Sequence, residues 1–148
     1  MQLLIDLWSN DPLKCAVLSW TVAQTLKVLI SLGLEKHLDW KRLWGMGGMP
    51  SSHTAFVFSL ALMIALRDGV ASSQFALAFA LAAVVIYDAM GVRAETGRQS
   101  EVINKIVQEV LVEGKPITEK QLKELVGHTP LEVAAGVLVG VVVTLILA

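Results

Sequence analysis

Cysteine is nearly missing from this chain. Its one member, Cys15, can close no internal disulfide and leaves no cysteine-built metal site. Charge is sparse too: 17% of residues are charged and the formal net charge is -1, so nothing marks nucleic acid as a partner. The first ten residues lack the basic segment of a secretory leader and carry Asp6, so the N-terminus is expected to be retained. No carboxylates gather into a magnesium cage, and the histidines with scattered acids make a poor zinc set; no metal or other cofactor is expected. Neither Ser51 nor Ser52 stands in a Gly-x-Ser-x-Gly elbow, which argues against a Ser–His–Asp hydrolase.

What is abundant is apolar. Hydrophobic residues make up 55% of the chain, mean hydropathy is +0.64, and they collect in long runs. Over 148 residues that indicates a single membrane-embedded domain, residues 1–148. Runs at roughly Leu13–Leu34, His53–Leu66, Ala71–Met90 and Pro130–Ala148 predict an all-α membrane protein with four spanning helices. The first run contains Gln24 and Lys27, three apart and therefore on one helix face. A lysine at that depth is costly unless it snorkels, pairs or lines a wet cavity. The second run is short for about 30 Å of hydrocarbon, and either tilts little or starts in a recess below the surface.

Between the third and fourth runs, Val102, Ile103, Ile106, Val107, Val110 and Leu111 recur at helical spacing opposite Glu101, Lys105, Gln108 and Glu109. That pattern predicts an amphipathic helix over 101–113 at the membrane surface. Gly114-Lys115-Pro116 breaks it, and Thr118-Glu119-Lys120-Gln121 reads as the cap of a short second helix. Trp40 and Trp44 suit interfacial anchors. Gly136-x-x-x-Gly140 marks a face for close helix approach, within the bundle or against a second copy of the chain.

Chemistry concentrates at Gly47-Gly48-Met49-Pro50-Ser51-Ser52-His53-Thr54. Pro50 suits a first helical turn, where its missing N–H would be unpaired anyway. The N–H groups of that turn, with the positive end of the helix dipole, can cradle an anion. Ser51 and Ser52 add hydroxyl donors, and His53 adds a group that exchanges protons near neutral pH. The plainer alternative is a capped helix start with a surface histidine. His128 stands before another apolar helix, four residues ahead of Glu132, and a regular turn would stack the two on one face. Such a carboxylate holds the N–H of one ring nitrogen and leaves the other nitrogen as nucleophile or base. The alternative there is an acid favouring a helix N-terminus beside an unrelated histidine. Asp88 closes the third run next to Arg93 and Arg98, whose forked guanidiniums suit phosphate oxygens, unless Asp88 and Arg93 simply pair. His37, among Lys36, Lys41 and Arg42, reads as solvated surface.

Four spans bring Lys27, Ser51, Ser52, His53, Asp88, Arg93, Arg98, His128 and Glu132 to one membrane face. The connectors on that side hold Lys36, Lys41, Arg42, Arg93, Arg98, Lys105, Lys115, Lys120 and Lys123, against Lys14 and Arg67 on the other. By the positive-inside rule the face is cytoplasmic, at the cell's inner membrane. Two histidines, a carboxylate, hydroxyls at a helix N-terminus and several cations meet the needs of phosphoryl transfer through a histidine nucleophile. One imidazole attacks phosphorus while the other protonates the leaving alkoxide.

Ala23-Gln24 with Lys27, Gly47-Gly48-Met49-Pro50-Ser51-Ser52-His53, Tyr87-Asp88-Ala89-x-Gly91-Val92-Arg93, and Leu122-Lys123-Glu124-x-x-Gly127-His128-Thr129-Pro130-x-Glu132-Val133 follow one another in a specific order and spacing. In these blocks the chain resembles the divergent branch of the type-2 phosphatidic acid phosphatases, relatives of the vanadium haloperoxidases. The resemblance implies His53 as general acid, His128 as nucleophile and Glu132 as the carboxylate that orients it. It departs from the wider superfamily in three places. The block of Lys, six residues and Arg-Pro is absent, Leu122 stands where an arginine belongs, and Ser52 replaces a glycine. Lys27, Arg93 and Arg98 are expected to supply the missing charge from other positions.

The function expected from residues and resemblance together is metal-independent hydrolysis of a lipid phosphomonoester, of phosphatidylglycerophosphate or phosphatidic acid type, with an isoprenoid phosphate also open. The expected partners are that lipid and the membrane, with a homo-oligomer through the Gly136/Gly140 face. Two rivals come from other classes: a non-catalytic protein that binds anionic lipid or a partner, and a small transporter lined by Lys27, Asp88 and Arg93.

Overall fold

The computed structural model describes residues 2–35, 48–91, 99, 103 and 129–148. Among the described residues every regular element is helical: α1 (Gln2–Trp8), α2 (Asp11–Glu35), α3 (Ser52–Asp68), α4 (Ser73–Met90) and α5 (Pro130–Leu147). The surface helix expected over 101–113, the cap at 118–121 and the anchors Trp40 and Trp44 lie outside the described residues.

Local chemistry sets the helix ends. Asn10 Oδ1 accepts the N–H of Leu13, and Asp11 places an acid against the positive end of α2. Ser51 caps α3 by accepting from Thr54 N, and Ser72 caps α4 by accepting from Phe75 N. Gly69 ends α3 at φ +81°, a conformation that side chains rarely adopt. Only residues 69–72 separate α3 from α4, so the two pack as antiparallel neighbours. Pro50 does not occupy the first turn as the sequence suggested. Ser51 takes the cap, and Pro50 precedes it after a cis Met49–Pro50 bond.

Side-chain and backbone contacts fix the register of the remaining helices. Arg67, near the end of α3, donates to Asp11 at the start of α2, so these two run antiparallel. Cys15 Sγ lies 3.3 Å from Thr144 Oγ1, which sets the start of α2 against the end of α5. Thr144 Oγ1 donates to Gly140 O, so Cys15 is the donor in that pair. At the opposite end Ser51 N–H donates to Glu132 O at 2.9 Å, which brings the N-termini of α3 and α5 together.

Three helices are long and apolar enough to cross a membrane: Asp11–Gly33, Ser73–Met90 and Pro130–Leu147. The four-span expectation is met for these three. At 17 residues α3 is about 25 Å long, shorter than the hydrocarbon layer. Yet α3 is central, packing against α2, α4 and α5. Small side chains permit this. Val57 and Ala61 of α3 meet Ala78 and Ala82 of α4, and Gly136 and Gly140 of α5 lie on the backbone of α3.

That last contact corrects one expectation. The Gly136/Gly140 face offered for a second chain is filled by α3 of the same chain. A Cβ at Gly136 would stand 2.5 Å from Ser51 O and 2.9 Å from Thr54 Cβ, and one at Gly140 would stand 3.2 Å from Ala55 O. Since backbone cannot step aside as a flexible side chain can, Gly136→Ala is expected to destabilise the bundle by about 1–3 kcal/mol. Gly33→Ala, with nothing within 4 Å of its Cβ, serves as control and should leave the transition unchanged or slightly raised. Thermal unfolding of both variants in detergent micelles checks this; equal midpoints would contradict the close approach.

Candidate functional site

The site forms where α3 and α5 begin. Ser51, at the cap of α3, is fully buried, and its Oγ accepts from both Thr54 N (3.4 Å) and Thr54 Oγ1 (3.0 Å). Its own N–H is taken by Glu132 O. One serine thus fixes the start of its helix and joins it to a second helix. Ser52 and Thr54 are buried beside it, while His53 is exposed. The alternation follows from helical geometry, which turns successive residues about 100° apart. At His53, then, the structure matches the plainer alternative of a capped helix with an exposed histidine. What exceeds that alternative is the burial of both serines.

Lys27 supplies the cation. It lies in the interior of α2 and is only 4% exposed. Its stem runs past Gly48, where a Cβ would meet Lys27 Cγ at 3.4 Å and Cδ at 3.5 Å. Gly48 also adopts φ +84°, so glycine answers two demands there: the backbone turn and the path of the lysine. The Glu132 carboxylate acts electrostatically on Lys27. An ionised side chain within a membrane span needs such a partner, and the pair marks the site more strongly than either residue alone.

Glu132 has a second task that the sequence reading missed. Its Oε2 accepts the N–H of Thr129 at 2.9 Å, while Thr129 Oγ1 accepts the N–H of Glu132 at 3.3 Å, a reciprocal capping box. Thr129-Pro130-Leu131-Glu132 has the Thr-x-x-Glu spacing of that motif, and the signal was legible in the sequence. The consequence reaches His128. Since α5 starts at Pro130 and Thr129 is an extended cap (φ -68°, ψ 154°), His128 precedes the helix. A stacked, one-face relation of His128 with Glu132 therefore does not follow from the helix.

The remaining candidates divide by position. Asp88 is half-buried in the last turn of α4. Gln24 and Ser31, one turn either side of Lys27 on α2, are buried on the same inward face; Ser31 was not anticipated. Arg93, Arg98 and His128, with the control residue His37, lie outside the described residues. The structure thus brings Lys27, Ser51, Ser52 and Glu132 together at one end of the bundle. The positive ends of two helix dipoles converge there with a buried ammonium, an arrangement suited to an anion.

A profile described as the divergent PAP2 family matches residues 8–143. The chain is also 40% identical to the uncharacterized membrane protein YuiD of Bacillus subtilis (strain 168), across 97% of this chain and 98% of that protein. No solved structure matches it.

If Lys27 and Glu132 compensate one another, removing either charge should cost more than removing both. A double-mutant cycle of Lys27→Met and Glu132→Gln, read by chemical unfolding in mixed micelles, is expected to give a coupling of about 0.5–3 kcal/mol. Glu132→Gln keeps an oxygen for Thr129 N–H, so the cycle isolates charge from capping. A coupling of zero would show that the two charges do not meet.

Proposed function

The chain belongs to the divergent PAP2 family, and from that membership we propose that it hydrolyses a lipid phosphomonoester at the cytoplasmic face of the inner membrane. The observation that carries this reading is the buried Lys27 beside Gly48 and Glu132, at the shared N-terminal ends of α3 and α5. An apolar bundle has no structural use for an ammonium there, whereas a doubly charged phosphate has. Phosphate oxygens would bind Lys27, the Ser52 hydroxyl and the first-turn N–H groups of α3, with Arg93, Arg98 and Asp88 completing the enclosure.

In this proposal a ring nitrogen of His128 attacks phosphorus. The P–N bond forms as the ester P–O bond breaks, and His53 gives its proton to the departing alkoxide. Water then attacks the phosphohistidine, loses a proton to His53, and releases inorganic phosphate with both histidines restored. Glu132 orients His128 by accepting its second ring N–H, while Oε2 keeps the helix capped. Candidate headgroups are those of phosphatidylglycerophosphate and phosphatidic acid, and an isoprenoid phosphate offers the same reacting group. Four membrane crossings, with α3 as the short one, and the excess of Lys and Arg in the connectors support the cytoplasmic orientation.

The exposure of His53 favours one rival, a non-catalytic protein that holds anionic lipid in the same cradle. Turnover separates the two. Purified protein in lipid micelles should release phosphate from lipid phosphomonoesters with chelator present. His128→Ala and His53→Ala should lower the rate by about 10²-fold or more, and His37→Ala should leave it unchanged. Lipid binding without phosphate release would leave the rival standing.

A further inference from the structure

We propose that the phosphate-binding end of the bundle is sunk about two helical turns below the membrane boundary, and that the last two turns of α2 wall it off from soluble esters. The ligand in this proposal rests on the phosphatase reading above; the depth rests on helix lengths and contacts.

The register of α2 against α3 is pinned at both ends. Asp11 meets Arg67 at one end, and the stem of Lys27 passes Gly48 at the other. Residues 11–27 of α2 therefore run beside the whole of α3, whose 17 residues match that stretch. Helix α2 then continues to Glu35, roughly 12 Å beyond Lys27. Its neighbours stop short. The start of α5 is tied to the cap of α3 by the bond from Ser51 N–H to Glu132 O, and α4 spends its 18 residues returning along α3.

The projecting turns are apolar where they are exposed. Leu29 is 56% exposed, Ile30 39% and Leu32 42%. The stretch of α2 apolar enough to span a membrane extends to Gly33. Exposed leucine and isoleucine at the end of a membrane helix belong in hydrocarbon, since water would favour polar side chains there. The boundary accordingly falls near Gly33, about 9 Å along the axis from Lys27. Lys27, Ser51 and Ser52 lie beneath it.

A soluble phosphomonoester would have to leave water and cross that apolar collar, at the high cost of desolvating its charge. A lipid phosphomonoester can carry its phosphate down while its chain stays in hydrocarbon. Each further charged group that must descend adds to the cost. The recess therefore favours lipids with one phosphomonoester and no second charge, presented from the bilayer side.

Depth is tested without reference to turnover. In a Cys15→Ser background, Gly33→Cys and His53→Cys carry one fluorophore each in vesicles containing depth-graded quencher lipids. The label at position 53 should lie about 9 Å deeper than that at 33, and an impermeant maleimide should react with it at least about tenfold more slowly. Equal depth, or equal labelling rates, overturns the recess. Selectivity is tested on native protein in vesicles by phosphate release from a lipid phosphomonoester, from phosphatidylglycerophosphate and from a soluble phosphomonoester. The first should be preferred, and Leu29→Gln/Leu32→Gln should raise the soluble-to-lipid ratio by about tenfold as water follows the polar side chains down. An unchanged ratio overturns the wall. If none of the three esters is hydrolysed, the phosphatase reading fails and the depth measurement alone decides the recess.

Discussion

Two glycines let α5 lie directly on the backbone of α3, and the rest of the arrangement follows from that close approach. At Gly136 the space a methyl group would need is already occupied by the carbonyl of Ser51 and the side chain of Thr54. With the helices that close, Ser51 N–H reaches Glu132 O, and two N-termini are held at one level. In hydrocarbon, helices gain little from hiding apolar surface, so association depends on packing and interhelical hydrogen bonds. The glycines supply the first and Ser51 the second.

Function, on the reading adopted here, reuses those same groups. Ser51 caps α3, joins α5 and lines the place where phosphate would bind. Glu132 caps α5 through one carboxylate oxygen and compensates Lys27. Gly48 turns the chain and leaves a path for the lysine stem. Because each residue carries a structural and a chemical task, substitutions here have to be compared with controls that separate folding from turnover. The absent Lys and Arg-Pro block of the wider superfamily becomes intelligible in these terms. A cation entering from the middle of α2 stands below the helix ends, whereas one in a surface connector would not.

Much of this was legible before any coordinates. The apolar runs located α2, α4 and α5 to within a few residues, because spanning a membrane requires a length and a composition that sequence records directly. Lys27 was conspicuous for the reverse reason, a charge where charge is costly. The glycine pair was read as a contact face, but its partner was open: GxxxG spacing says that a backbone can come close and not whose backbone it is. Thr129-Pro130-Leu131-Glu132 carried its capping box in plain spelling, yet the pairing of His128 with Glu132 drew attention away from it.

Composition and order along the chain by themselves determined an all-helical membrane protein of the divergent PAP2 type, since hydropathy and motif spacing are local properties that survive without a fold. Only tertiary structure decided that α3 fills the glycine face, that Lys27 passes Gly48 to act with Glu132, and that His53 points outward while its neighbouring serines are buried. Those outcomes depend on the register of helices distant in sequence. That register is set by contacts such as Asp11 with Arg67 and Cys15 with Thr144, pairs no linear pattern announces.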